Sequence, residues 1–203
     1  MMMLVPIGLI IFAYLLGSFA SAVIVSRLMG LPDPRSFGSG NPGATNVLRL
    51  GGKKAALFTL LFDVLKGVIA VLVAKAIYPE ITLLAAVTGA VFLGHLYPIF
   101  FNFKGGKGVA TAFGALLALV WQVGLSVLLT WLLIAGIVRY SSLAALVAAI
   151  AAPISMYGFT HGNLTYTLTA TLMSALLIWR HRSNIQNLLA GREDKIGKAT
   201  SKG

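Results

Sequence analysis

Cysteine is absent from the 203 residues, which excludes a disulfide framework, a thiolate nucleophile and a cysteine-ligated metal centre. Charged residues make up only 10% of the chain, and acidic ones are rarer still, 5 Asp+Glu against 16 Lys+Arg. Soluble domains carry about 25% charged residues, so an ordinary soluble fold is excluded. The usual catalytic signatures are thin. The residues five positions after His95, His161 and His181 are Phe100, Tyr166 and Gln186, so no histidine–aspartate pair exists at that spacing. No G-x-S-x-G elbow occurs. The glycine-rich KGGKGVAT stretch, Lys104 to Thr111, is not a nucleotide loop of the Walker A kind: Lys107 is followed by Gly108 rather than Ser or Thr, and no glycine stands five positions before Gly106.

What the chain has instead is apolar length. Hydrophobic residues make up 58%, and near-uncharged runs cover Leu4 to Ser26, Ala55 to Ile77, Ile81 to Phe101, Val109 to Val138, Ser142 to Phe159 and Leu164 to Trp179. Crossing a bilayer takes about 20 apolar helical residues, and lipid offers backbone groups no partner outside a helix or a closed barrel. The pattern predicts an all-α, polytopic membrane helix bundle in a single domain, residues 1–203. The small-x-small end of the first run, Ala20-Ser21-Ala22, lacks the basic lead of a cleaved signal, so the first helix is read as retained.

The basic residues fix the sides. Arg27, Arg35, Arg49, Lys53 and Lys54 fall in the first long loop, Lys104 and Lys107 in the third, and Arg180, Arg182, Arg192, Lys195, Lys198 and Lys202 in the tail. Placing all three on the cytoplasmic side requires an even number of crossings after Lys107. The long run must then split near Trp121-Gln122. The expectation is seven transmembrane helices, amino terminus out and carboxyl terminus in. Val109 to Val120 would reach only about 18 Å, so the fourth helix is short or re-entrant, and five spans with one interfacial helix is the alternative. The excess of basic charge suits anionic lipid or phosphorylated substrates rather than nucleic acid.

Three polar stretches then share one membrane face. In GSGNPGATNVLR, Gly38 to Arg49, the Asn41-Pro42-Gly43 sequence supports a tight turn with positive φ at Gly43. Backbone N–H groups from Gly40, Asn41, Gly43, Ala44, Thr45 and Asn46 could form an anion-binding concavity, with Arg49 one helical turn from Asn46. In KGGKG, the glycines Gly105, Gly106 and Gly108 allow close backbone approach, Lys104 and Lys107 add charge, and a helix begins about Val109. In RHRSNIQNLLAGRED, His181 and Asn184 share a face if the last helix continues. Inside the second span, Asp63 and Lys66 stand three apart and are read as a neutralising pair. His95 is read as a packed or hydrogen-bonding histidine.

GSGNPGATNVLR, GHLYPIFFNFKGGKGVAT and HRSNIQNLLAGRED, in this order in a small helical membrane protein, resemble the three cytoplasmic motifs of the bacterial PlsY family of acyl-phosphate-dependent glycerol-3-phosphate acyltransferases. The resemblance implies acyl transfer from a fatty acyl phosphate to the 1-position of glycerol 3-phosphate, giving lysophosphatidate and phosphate at the cytoplasmic face of the inner membrane. It implies no cofactor, no metal and no obligate protein partner. By the same resemblance Ser39, Arg49, Lys107, His181 and Asn184 bind glycerol 3-phosphate, and the turn from Gly40 to Asn46 binds the acyl-phosphate phosphoryl group. The family is thought to work without a protein base, the substrate phosphate taking the hydroxyl proton. The histidine–aspartate pair of many other glycerolipid acyltransferases is the one missing here. A transporter of phosphate-bearing solutes is the alternative from another class; it would need binding groups near the midplane, where only Asp63 and Lys66 lie.

Overall fold

The computed structural model describes residues 4–196, so Lys198 and Lys202 of the predicted basic tail lie outside the described residues. The described chain is entirely helical: α1 Leu4–Gly17, α2 Ser21–Leu28, α3 Ala44–Ile77, α4 Ile81–Leu96, α5 Val109–Leu119, α6 Trp121–Val138, α7 Ser141–Phe159, α8 Leu164–Arg180 and α9 Arg182–Leu189, with single 3₁₀ turns at Pro34–Ser36 and Ile99–Phe101. Four helices are long and apolar enough to cross a bilayer: α3, α4 with its following turn, α6 and α7. The α1–α2 pair, bent by 46°, makes a fifth if counted as one span. The 11 residues of α5 and the 17 of α8 fall short by length.

Three features differ from the sequence expectation. The first span is broken at Ser18–Ala20 instead of continuous. The second helix starts at Ala44, eleven residues before its apolar run, and is interrupted at Gly52, whose φ of 75° and ψ of −170° are not helical. The long run does split, one residue before Trp121, at the extended Val120. Lys75 explains how that break is tolerated. Its ammonium donates to the Ala118 carbonyl at 2.6 Å and the Leu119 carbonyl at 2.8 Å, supplying partners to the last turn of α5.

Small residues bring the helices together, as expected where lipid removes most of the hydrophobic drive between apolar surfaces. A Cβ on Gly67 of α3 would run into the Thr111 carbonyl of α5, and one on Gly114 into the Val64 carbonyl of α3. Gly17 and Gly94 join α1 to α4 in the same way. Ala144, Ala145, Ala148, Ala149 and Ala152 form the buried stripe of α7. These close approaches gather α3, α4 and α5 on one side and α6, α7 and α8 on the other. A cavity lies between the two groups.

Candidate active site

The cavity has a volume of about 340 Å³, and its lining divides into two ends. The polar end is built from Asn41, Gly43, Ala44, Thr45, Lys107, Gly108, Ser141, Ser142 and His181. The apolar end is built from Leu60 and Val64 of α3, Phe113 of α5, Val127, Leu128, Trp131 and Leu132 of α6, and Ala145 and Ala148 of α7. Leu60 and Leu132 are also about half exposed, 44% and 50%. The slot therefore opens sideways to the surroundings of the bundle between α3 and α6.

Three helix amino termini converge on the polar end: α3 at Ala44, α5 at Val109 and α7 at Ser141. None of the three has a side-chain cap. First-turn N–H groups with no helical partner and the positive ends of the helix dipoles make such a place favourable for anions. The chain reaches α3 through a turn that differs from the expected one. Gly43 is extended, with φ −137° and ψ 162°, and donates to the Asn41 carbonyl at 2.9 Å across Pro42. The positive φ values fall earlier, at Gly38 (57°) and Gly40 (67°).

The predicted site residues divide by position. Asn46 is buried and its amide is used by the loop: it donates to the Pro34 and Phe37 carbonyls at 2.8 and 2.9 Å and accepts from the Ser39 N–H at 3.2 Å. Asn46 thus shapes the turn, and its side chain has no donor left for an anion. Ser39 and Gly40 are exposed beside the cavity rather than in its lining. Arg49 pairs with Asp194 at 3.4 Å. Lys104 is exposed, while Gly105 and Gly106 are buried against His95.

Lys107 is held in a chain of polar contacts. Its ammonium donates to Asn184 Oδ1. Asn184 Nδ2 donates to Glu193 Oε1 at 2.7 Å, and Ser142 donates to the same oxygen at 2.6 Å. Glu193 therefore fixes which way the Asn184 amide points, and Asn184 then aims Lys107. Burial holds the Lys107 ammonium below the usual lysine range; Glu193 pulls the other way, and nearby Arg180 and Arg49 add to the depression. An arriving anion offsets these effects by placing negative charge beside the ammonium. Arg180 holds the loop itself, donating to the Gly105 carbonyl at 2.8 Å and the Gly106 carbonyl at 3.0 Å. Ser142 carries no signal in the sequence that ties it to Glu193 of the RHRSNIQNLLAGRED stretch, since the two come from distant segments.

His181, 3% exposed, closes the polar end. Its Nδ1 lies 2.8 Å from the Leu177 carbonyl, an acceptor, so Nδ1 carries the proton and Nε2 presents a lone pair. Burial is the main cause that lowers its pKa to about 4; the Leu177 bond opposes it, and Lys107 adds to the lowering. An unfolded histidine takes a proton below its ordinary value of 6.5, whereas folded His181 resists until about pH 4. Unfolding is therefore favoured as pH falls through this window. The stability lost is roughly 3 kcal/mol. Thermal unfolding in detergent should show this slope between pH 6.5 and 4, and His181→Gln should reduce it; equal slopes would contradict a neutral, buried His181.

Asp63 and Lys66 do pair, at 2.8 Å, but they are not alone. His95 of α4 joins them, and Asp63 and His95 both line the cavity.

The comparisons with known proteins fit this arrangement. The family described as glycerol-3-phosphate acyltransferase matches residues 7–191. The chain belongs to that family. Glycerol-3-phosphate acyltransferases of Methylococcus capsulatus and Thioalkalivibrio sulfidiphilus are similar to it at 57% and 56% identity, over 93% and 98% of this chain and 95% and 97% of theirs. A crystal structure of PlsY (YgiH), an integral membrane glycerol 3-phosphate acyltransferase, in its glycerol 3-phosphate form, has a TM-score of 0.90 at 43% identity, covering 95% of this chain and 96% of that one. The lysophosphatidic acid form has a TM-score of 0.87 at 42% identity, covering 95% of each. The resemblance of the three motifs is thus that of a family member, and the chain is an integral membrane acyltransferase of phospholipid biosynthesis.

Proposed function

We propose that this protein transfers the acyl group of a fatty acyl phosphate to the 1-hydroxyl of glycerol 3-phosphate. The observation that carries the reading is the junction inside one cavity of three helix amino termini, Lys107 and His181 with a slot of apolar side chains. A substrate with a charged head and a long tail fits such a junction. The phosphoryl group of the donor lies at the start of α3, on the N–H groups of Ala44 and Thr45, and the tail runs past Val64, Phe113 and Trp131 toward the opening between α3 and α6. Glycerol 3-phosphate lies against Lys107, with Asn184 supporting it and Arg49 exchanging Asp194 for the phosphate. Ser39 borders the same entrance.

The reaction needs few protein groups. The hydroxyl oxygen bonds to the acyl carbon, the bond from that carbon to the bridging phosphoryl oxygen breaks, and the electron pair leaves with phosphate. The Nε2 lone pair of His181 accepts from the glycerol hydroxyl and orients it. With a pKa of about 4, the imidazole is a weaker base than a phosphate dianion, whose conjugate acid has a pKa of about 6. The hydroxyl proton therefore ends on the departing phosphate. Proximity and electrostatic positioning supply the remaining rate. The same reading places the chain in the bacterial cytoplasmic membrane with seven crossings, α5 and α8 as its short ones, and the three motifs on the cytoplasmic side.

Purified protein in detergent, given palmitoyl phosphate and labelled glycerol 3-phosphate, should release lysophosphatidate and phosphate in equal amounts. Palmitoyl-coenzyme A in place of the acyl phosphate should give neither. Folded protein that yields no product from the acyl phosphate would overturn the donor assignment.

A further inference from the structure

Beneath the glycine-rich loop, three helices contribute a buried polar cluster that the reaction as described leaves unused. Asp63 and Lys66 of α3, His95 of α4 and Thr111 of α5 are 3%, 4%, 7% and 0% exposed. Lys66 Nζ stands 2.8 Å from Asp63 Oδ1, 2.8 Å from His95 Nδ1 and 3.1 Å from the Phe19 carbonyl at the break between α1 and α2. An ammonium has three donors and no acceptor. Its two hydrogen-bonded neighbours, the Phe19 carbonyl and His95 Nδ1, are therefore acceptors, and His95 Nδ1 is a lone pair; Asp63 Oδ1 balances the charge as an ion pair. The Thr111 hydroxyl, 3.2 Å from the same nitrogen, donates to it too. Asp63 Oδ1, 3.3 Å from Nδ1, is a second acceptor gathered around the same ammonium.

The proton of His95 consequently sits on Nε2. That atom has no hydrogen-bond partner among the described residues, and the ring lines the cavity. It lies under Gly106, where any Cβ would collide with Nε2. The ring thus lines the cavity together with Lys107, Gly108 and Val64, its Nε2 edge lying against the backbone of the glycine-rich loop.

We propose that His95 is a further catalytic residue, its Nε2–H donating to the acyl carbonyl oxygen of the donor as negative charge develops there, with Asp63 and Lys66 as the positioning residues that fix its tautomer. The inference rests on the acyl-phosphate reading above. The two histidines of the cavity then have opposite duties. His181 offers a lone pair to the attacking hydroxyl, and His95 offers a proton donor to the oxygen that the attack charges. Losing one such preorganised donor lowers turnover by about 100-fold or more.

Two amide substitutions separate this role from packing. Gln places an N–H near the position of Nε2, whereas Asn reaches only to Nδ1 and can accept from Lys66. His95→Asn should lower kcat about 100-fold with little change in KM for glycerol 3-phosphate, and His95→Gln should retain turnover within about 10-fold of wild type. A purely structural histidine gives the reverse order, because Asn satisfies Lys66 and Gln does not. Equal turnover in all three proteins, or the reverse order, overturns the proposal. Wild type that fails to use palmitoyl phosphate overturns the donor reading instead. Should either variant fail to fold, wild-type protein with ¹⁵N-labelled histidine rings decides. The His95 Nε2 resonance should move on addition of a non-transferable acyl phosphonate and not with glycerol 3-phosphate alone. No movement with the phosphonate, or movement only with glycerol 3-phosphate, removes His95 from the donor site.

Discussion

Lys107→Ala should lower kcat/KM for glycerol 3-phosphate by about 1000-fold, most of it through KM. The size follows from the surroundings of the ammonium. Removing one partner of a buried, hydrogen-bonded charge pair is worth roughly 2–5 kcal/mol, and 1.4 kcal/mol is a factor of ten. Burial and the neighbouring Arg180 and Arg49 leave Lys107 short of negative charge before substrate arrives, so most of the favourable interaction is made with the ligand and not within the protein. Loss of a contact made equally in ground and transition states raises KM and spares kcat. Steady-state kinetics at saturating acyl phosphate read the split. Unchanged kinetics would remove Lys107 from the site, and a loss confined to kcat would move it from binding glycerol 3-phosphate to stabilising the reacting centre.

The parts of this site that the sequence discloses are those in which neighbours along the chain are also neighbours in space. The Gly38–Arg49 and Lys104–Gly108 stretches are such cases: each contains its own glycines, polar groups and following helix, and the helix start at Val109 is where composition places it. The details of the turn are harder to read. Asn-Pro-Gly suggests positive φ at Gly43, but Asn46 reaches back to the Pro34 and Phe37 carbonyls, and the chain bends at Gly38 and Gly40 instead. That contact links residues 12 and 9 apart, and no local rule contains it. The same limit hides His95. Asp63 and Lys66 are visible as an i, i+3 pair, yet the third member of their cluster stands on another helix and is identified only when packing brings α4 against α3. Glu193 is hidden likewise, being meaningful only beside Ser142 and Asn184.

Helix count obeys a different physics. Apolar length is a strong signal for α3, α4, α6 and α7 because nothing but a bilayer asks for it. It is weak for α5, whose 11 residues are too few to span alone and whose end is satisfied by a lysine from α3. A polar side chain spent on a helix end changes what length is needed, and hydropathy does not register it. Lys75 stands near the end of the Ala55 to Ile77 run, and its nitrogen is bonded to the carbonyls of Ala118 and Leu119.

Asp63→Asn should be the most destabilising of the conservative substitutions in the bundle, by about 3–5 kcal/mol. Lys66 would keep the His95 and Phe19 acceptors at 2.8 and 3.1 Å but lose the one carboxylate paired with it among the described residues, leaving a net charge in a region 3–7% exposed. The informative protein is the double variant Asp63→Asn, Lys66→Met. With both charges gone the burial penalty disappears, and replacing a buried ion pair by uncharged groups of similar volume is often neutral for stability. Thermal unfolding in detergent should therefore recover toward wild type. Turnover should not recover, because no ammonium remains to hold His95 Nδ1 as an acceptor and its Nε2–H toward the cavity. Recovery of stability together with turnover would make the cluster a packing device and nothing more. An unchanged melting temperature in Asp63→Asn alone would mean that Lys66 carries no buried charge to be paired. Stability restored without activity separates the two duties of one ion pair: neutralising a lysine inside the bundle, and fixing the tautomer of a histidine at the reacting carbonyl.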